Sequence, residues 1–441
     1  MSRRRFCTGL VGAAAGLYLP RAARAQATAP RVDAARIQAG IEGLSAFGRP
    51  AGGSFQDGVS RVGYSDADVA GRRYVMELIR AAGLEPRIDA AGNILARRAG
   101  REDSLPPLLF GSHIDSVPNG GNFDGDVGSI GGVEVMRALQ EAKHVTRRPL
   151  ELVIWTNEEG VAFENGLCGS RAAAGKLEKG ELDHVWNGVT KRDAIKKIGG
   201  DPDRIESARR AKGSFRAYLE LHIEQGGTLD KAGIPIGVVE GIVAIDRYEA
   251  VVKGFANHAG TTPMPERKDA LVAASQLVLL VREVVNAEPG RQVGTVGHLR
   301  VHPNAPNVIP GEVRMTIELR DLQSAKIARL AQSIKMRAAE IAKRTDTEIG
   351  IAPLSHHDEA LATPEIQAAI ERAADGLGLR HTRLPSGAGH DAQMMALLGP
   401  MGMIFVPSVL GISHSPRELS RFADCARGAD VLLHTLLTLA E

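Results

Sequence analysis

The chain has 441 residues, 44% of them apolar and 4% aromatic, with 54 lysines and arginines against 52 acids and a formal net charge of +2. That length exceeds one ordinary core, so two domains are expected. Balanced charge and sparse aromatic rings exclude a nucleic-acid surface built on basic patches and base stacking.

Residues 1–25 stand apart. Ser2-Arg-Arg-Arg-Phe6 precedes an Ala/Gly-rich apolar stretch from Leu10 to Leu19, and Ala23-Arg-Ala25 supplies small residues at a cleavage spacing. This pattern is expected to be a signal peptide of the twin-arginine type, giving an exported, periplasmic protein. Its apolar part is too short for a membrane span, and none is expected after cleavage. Removing it deletes five arginines and no acid, which turns the net charge from +2 to −3. Cys168 and Cys425 are the cysteines that remain. They exclude a disulfide framework, leaving one bond between them or two buried thiols.

From residue 31 to 242 apolar runs alternate with helix-like segments. Strands are predicted over Leu105–Phe110, Leu150–Thr156 and Phe215–Leu221, and helices over Asp66–Ala82 and Gly131–Ala142. The alternation predicts a mostly parallel α/β sheet. Glu181–Arg210 is charged and irregular and is expected to be a surface excursion. Residues 243–354 predict strand Ile245–Ala256, helix Arg267–Ala287, strands Val293–Val301 and Gly311–Asp321, helix Ser324–Arg344 and strand Glu348–Leu354. That β-α-β-β-α-β order is ferredoxin-like and predicts an inserted second domain. In Gly311–Asp321, Val313, Met315, Ile317 and Leu319 alternate with polar residues, so Arg314 and Arg320 share one polar face. Residues 355–441 return to α/β character and are expected to complete the first domain.

Four clusters of acids and histidines each follow an apolar run. They are His113 and Asp115, Glu158-Glu159, His222-Ile-Glu-Gln-Gly226, and His414-Ser-Pro-Arg-Glu418. Open α/β sheets bind ligands beyond the carboxyl ends of their strands, so all four are predicted on one edge. His113, Glu159, His222, His414 and one aspartate, Asp124 or Asp126, make three imidazoles and two carboxylates. That donor set suits zinc or manganese rather than calcium or magnesium. Five ligands fit two metals if one carboxylate bridges. Asp124, set among Gly120, Gly121 and Gly125, is the expected bridge. Asp115 is placed to orient the His113 imidazole from behind. Beyond a strand end, one glutamate of the pair can bind metal while the other handles the proton of the attacking water. Glu159 is the expected ligand and Glu158 the general base.

Gly111-Ser-His-Ile-Asp115, Gly120-Gly-Asn-Phe-Asp-Gly125, Glu158-Glu-Gly160, His222-Ile-Glu-Gln-Gly226, Asn257-His-Ala-Gly-Thr-Thr-Pro-Met264, Pro303-Asn-Ala-Pro-Asn-Val-Ile-Pro-Gly311, Ser386-Gly-Ala-Gly-His-Asp391 and His414-Ser-Pro-Arg-Glu418 occur in this order. Together they resemble the dinuclear-metal amidohydrolases related to aminoacylases and zinc exopeptidases. Within them the resemblance is to the carbamoylase branch: N-carbamoyl-L-amino acid hydrolase, allantoate amidohydrolase and beta-ureidopropionase. His222, where peptidase relatives tend to carry aspartate, points to that branch. The resemblance implies a phosphorylase/hydrolase-like α/β catalytic domain with an inserted ferredoxin-like α+β lid and dimerisation domain. It implies two divalent metals per subunit, Zn2+ or Mn2+ with Co2+ or Ni2+ as further choices. It favours Asp124 over Asp126 and supports Glu158 as base. It implies that His258 reaches across a homodimer to stabilise an oxyanion. Arg247, Asn307 and Arg320 match substrate-holding positions, with Arg320 on a carboxylate, and Gln225 and His390 match positions lining the site. Ser116, where relatives usually have threonine, and the leader are departures. The expected activity is hydrolysis of a linear amide C–N bond in a small ureido acid, an N-carbamoyl-L-amino acid first. The alternatives are allantoate, a beta-ureido acid, a dipeptide or acyl amino acid, or a non-catalytic ureide-binding protein.

Overall fold

The computed structural model describes residues 30–441, so the leader expected over residues 1–25 lies outside it. Strands β1 (Pro86–Ile88), β2 (Ile94–Arg98), β3 (Leu108–His113) and β4 (Leu150–Trp155) open a large sheet. A small hairpin follows, β5 (Val185–Trp186) and β6 (Val189–Thr190). β7 (Ala217–Ile223) and β8 (Ile236–Ile242) rejoin the large sheet. β9 (Ala244–Lys253), β10 (Val293–His302), β11 (Glu312–Asp321) and β12 (Glu348–His357) form a second one. β13 (Ala360–Leu361), β14 (His381–Ser386) and β15 (Met401–Val406) complete the first.

The large sheet runs β1-β2-β4-β3-β7-β15-β8-β13, with β14 also beside β8. Its centre, β4-β3-β7-β15, is parallel. Every residue of these four strands is buried, because helices cover both faces and each strand reads as one apolar run. The flanks are antiparallel except where β14 runs parallel to β8, so the sheet is mixed rather than mostly parallel. At one edge the cause is a short connection. β1 and β2 are joined by a tight turn in which the Asp89 carboxylate accepts the amides of Ala91 and Asn93, whereas a parallel crossover needs a dozen residues or more.

Helix Asp126–Glu141 starts five residues before the predicted Gly131. Gly128 reads as a breaker but is a contact point: a Cβ there would meet the Leu221 carbonyl oxygen at 2.1 Å. The helix thus sits directly on β7. Glu181–Arg210 also departs from expectation. It carries β5–β6 and helix Lys191–Lys197, and Glu181 and Lys191 are fully buried as an ion pair, with Arg171 on the same carboxylate. Composition reads as exposed wherever charges pair with one another instead of with water.

The second sheet runs β10-β11-β9-β12, fully antiparallel, with helices Ala270–Ala287 and Ser324–Thr345 on one face. Helix Ala270–Ala287 is long and apolar enough to cross a bilayer. Here it lays Ala273, Leu277, Val281 and Val284 against the sheet. β12 continues to His357, past the predicted Leu354. The chain enters this second domain, the expected lid, through one residue, Val243, and leaves it through Asp358 and Glu359, while Ile242 and Ala360 pair in register across the two connections.

Candidate metal centre

The carboxyl ends of β3, β4, β7 and β15 deliver the four clusters to one cavity of about 230 Å³. Its lining includes His113, Asp124, Glu158, Glu159, His222 and His414. His113 closes β3 and His222 is the penultimate residue of β7. Glu158 and Glu159 follow β4, and His414 sits in the loop after β15.

Asp124 is central. Its Oδ1 is 3.1 Å from His222 Nε2 and 3.5 Å from His113 Nε2, and its Oδ2 is 3.4 Å from His414 Nε2. Glu159 Oε2 is 3.4 Å from the same His414 nitrogen. Two donor triads result, His113-Asp124-His222 and Asp124-Glu159-His414, sharing Asp124. Gly125 permits this crowding: with φ at +67° it turns the chain under the His113 ring, and a Cβ would meet that ring at 2.5 Å.

The tautomers fit metal ligation. His113 Nδ1 lies 3.0 Å from the Asp115 carbonyl and His222 Nδ1 lies 3.0 Å from the Ile223 carbonyl. A carbonyl only accepts, so both Nδ1 atoms carry hydrogen and both Nε2 atoms face Asp124; against the effect of burial, the charges of Glu158 and Asp124 raise His113 well above the usual imidazole range, and Asp124 raises His222. Glu159 Oε1 is buried without a hydrogen-bond partner. Imidazole lone pairs and an orphaned carboxylate oxygen around one shared carboxylate suit two divalent cations. A third grouping, Glu220-His222-His390, is already satisfied. Glu220 accepts from Ser112, Tyr218 and the Ala392 amide, and His390 pairs with Ser386.

Charge is strained here. Burial, with the nearby charge of Glu159, pushes the Glu158 carboxyl well above the usual range. Burial and Asp124 push Glu159 up to about 8. Its hydrogen bond to Asp124 raises His414 to about 9. Protons therefore occupy, in the metal-free protein, the place of cations.

Asp115 meets His113 through its backbone carbonyl. Its carboxylate instead accepts the amides of Glu158 and Glu159, at 3.0 and 3.1 Å, and so positions that pair. Asp126 points away and pairs with buried Arg61, which also holds the carbonyls of Leu44, Phe47 and Ile114. Gln225 donates to Asp124 Oδ2 at 2.6 Å. His390 lines the cavity, edge-on to His222 with ring centroids 4.4 Å apart. Two residues were not singled out by sequence. Glu418 accepts the amides of Phe123 and Asp124, and Ser413 donates to both Asp124 and Glu418. Glu418 lay inside the His414 motif, which was the available signal.

The lid residues are arranged differently. His258 and Asn307 are exposed and do not line the cavity of their own chain. The amides of Gly260 and Thr261 donate to His258 Nδ1, so its Nε2 carries the hydrogen and is a free donor. Ala259 donates to the Asn307 carbonyl, which ties the two loops together. Arg247 and Arg320 both pair with Glu318, and Arg320 also donates to Gly387 of the catalytic domain.

Residues 109–438 match Peptidase family M20/M25/M40. An N-carbamoyl-L-amino acid amidohydrolase of Geobacillus stearothermophilus is 42% identical over 385 residues, 87% of this chain and 94% of that protein. A ureidoglycolate hydrolase of Arabidopsis thaliana is 38% identical, covering 93% of this chain and 87% of its own. The crystal structure of an amidase of the hydantoinase/carbamoylase family from Burkholderia multivorans superposes with a TM-score of 0.85 at 36% identity, over 93% of this chain and 98% of that one. The chain belongs to peptidase family M20/M25/M40, in its hydantoinase/carbamoylase branch, and is an amidohydrolase acting on the C–N bonds of linear amides.

Proposed function

We propose that the protein hydrolyses an N-carbamoyl-L-amino acid to the amino acid, carbon dioxide and ammonia. The observation that supports this reading is the pair of guanidiniums, Arg247 and Arg320, held together by Glu318, with Arg320 donating to a carbonyl of the loop that lines the two-triad cleft. Arg320 touches Gly387, whose next three residues, Ala388, Gly389 and His390, line the cavity. A carboxylate bound there bidentately places the ureido group of the same molecule toward the donor triads. The first relative bears the corresponding name and spans nearly the whole chain.

His113, Asp124 and His222 would hold one metal, and Asp124, Glu159 and His414 the other, as Zn2+ or Mn2+. Bound divalent metals supply Lewis-acid activation of water and of the scissile carbonyl. The residues do the rest. Glu158 takes a proton from the attacking water at its carboxylate and delivers it to the leaving nitrogen, which departs as ammonia. The remaining carbamate then loses carbon dioxide. Asp115 fixes Glu158 through its amide. Asn307 and Arg320 close on the substrate with the lid, and His258 donates from its Nε2 to the developing oxyanion. Because His258 is exposed and lies outside the cavity lining of its own chain, we place it in the site of a second copy, in a homodimer joined through the lid. Export of the folded, loaded enzyme is part of this proposal. A reporter fused to residues 1–30 is then exported.

With metal-loaded protein, ammonia release is to be measured for N-carbamoyl-L-amino acids, allantoate, ureidoglycolate and beta-ureidopropionate, and free amino-acid release for dipeptides. The highest kcat/KM is expected for an N-carbamoyl-L-amino acid. A higher value for allantoate or ureidoglycolate would overturn the substrate and keep the chemistry. Turnover of dipeptides alone would overturn both.

A further inference from the structure

The two arginines that the proposed function assigns to the substrate carboxylate do not stand free. Arg247 Nε donates to Glu318 Oε2 at 2.7 Å, and Arg320 Nε donates to Glu318 Oε1 at 2.8 Å, with Arg320 Nη2 2.7 Å from the same oxygen. The strand register explains the trio. Arg247 of β9 lies directly opposite Glu318 of β11, and Arg320 is two residues further along the same face. All three side chains are partly buried.

The other charged groups nearby are accounted for. Asp246 lies on the opposite face of β9 and is paired with His356. Burial and the Arg247 charge hold His357 below the usual imidazole range, so it stays neutral. Arg314 of β11 has its own carboxylates, Glu249 and Glu312. It lies six residues from Arg320, roughly 20 Å along an extended strand, beyond the screening length of about 8 Å. The rim therefore presents two guanidiniums and one built-in carboxylate, a net charge of +1.

We infer that Glu318 is a specificity-determining residue that restricts the substrate to one carboxylate, an N-carbamoyl monoacid with an uncharged side chain. The inference rests on the proposed function and sharpens its substrate class. Glu318 occupies one guanidinium's worth of donors. A single substrate carboxylate neutralises the remaining charge, and a second carboxylate on the substrate finds no free partner and faces Glu318 itself.

Counting charges gives the test, read with N-carbamoyl-L-alanine and N-carbamoyl-L-aspartate on the metal-loaded full chain. Arg247→Gln reduces the rim to zero and raises KM for the monoacid about tenfold or more, the worth of a charge-assisted hydrogen bond. Adding Glu318→Gln to it restores +1, and KM returns to within about threefold of the parent. Glu318→Gln alone raises the rim to +2 and shifts the diacid-to-monoacid ratio of kcat/KM about tenfold toward the diacid. Glu318→Asp keeps the parent ratio. A double variant worse than Arg247→Gln alone would show that Glu318 only orients Arg320 and would overturn the inference, as would an unchanged ratio in folded Glu318→Gln. A parent protein that turns over no ureido acid would overturn the underlying reading as well. Turnover with an unmoved ratio overturns this inference alone.

Discussion

In the cleft, His113, His222 and Asp124 are 1%, 1% and 7% exposed, and each imidazole is fixed by a backbone carbonyl. On the lid, His258 and Asn307 are exposed and fastened to each other's loops. The cleft is organised within one chain before anything binds, because helices on both sides of a parallel sheet exclude water from its carboxyl edge. The second domain fastens these two side chains outside the cavity of their own chain; on the proposed reading, domain movement or a second copy brings them to the site. On the proposed reading binding and chemistry have separate addresses, and variants should separate them.

The largest break is expected from Asp124→Ala. It belongs to both triads, so metal content should fall from two to below one per chain by elemental analysis, with activity at background. Glu158→Gln should keep both metals and cut kcat by about 10³-fold, the scale of general acid–base catalysis. Retained turnover would sink its role. Acid should act on the cleft before the lid. Glu159 at about 8 and His414 at about 9 both carry protons at neutral pH without metal. Metal must displace them, so affinity should rise with pH up to about 9 and fall by as much as tenfold per displaced proton for each unit below about 8. Calorimetry in buffers of different ionisation enthalpy should detect proton release on metal binding at neutral pH.

Stability should show the same division with smaller effects. Arg61→Met strands the buried Asp126 carboxylate behind the bridge loop and should cost roughly 3–5 kcal/mol, together with metal affinity. Leu330→Ala opens a cavity between helix Ser324–Thr345 and the lid sheet. It should cost roughly 2–4 kcal/mol in chemical denaturation while leaving metal content unchanged. Loss of metal in that variant would erase the distinction between the two regions.

Much of the cleft was readable because His113, Glu159 and His222 stand at or just past the end of an apolar run that forms a buried strand. His113 after Leu108–Phe110 and His222 after Ala217–Leu221 are of this kind. The lid was readable from the helix period of Ile327, Leu330, Ile334, Ala338 and Ile341, all buried. Contacts between distant segments were not. Nothing local to Asp115 reveals that its carboxylate caps amides 43 and 44 residues onward. Glu181 and Lys191 look solvated until they are seen paired, and Gly128 looks like a helix stop until β7 is seen beneath it. Glu318 looked like one more polar position on an alternating strand until its register with Arg247 was seen.

The pairing of Ile242 with Ala360 has a modular consequence. In the topology of the large sheet, β8 and β13 are the two arms of an ordinary antiparallel hairpin, and the whole lid is its loop. Replacing residues 243–359 with a two-residue Asn-Gly turn would reconnect arms already in register. The metal-binding half would then be expected to fold as a unit with its own core. Such a hairpin is a natural point for acquiring, losing or exchanging a lid, so substrate choice could diverge among relatives while the cleft beneath it stayed the same.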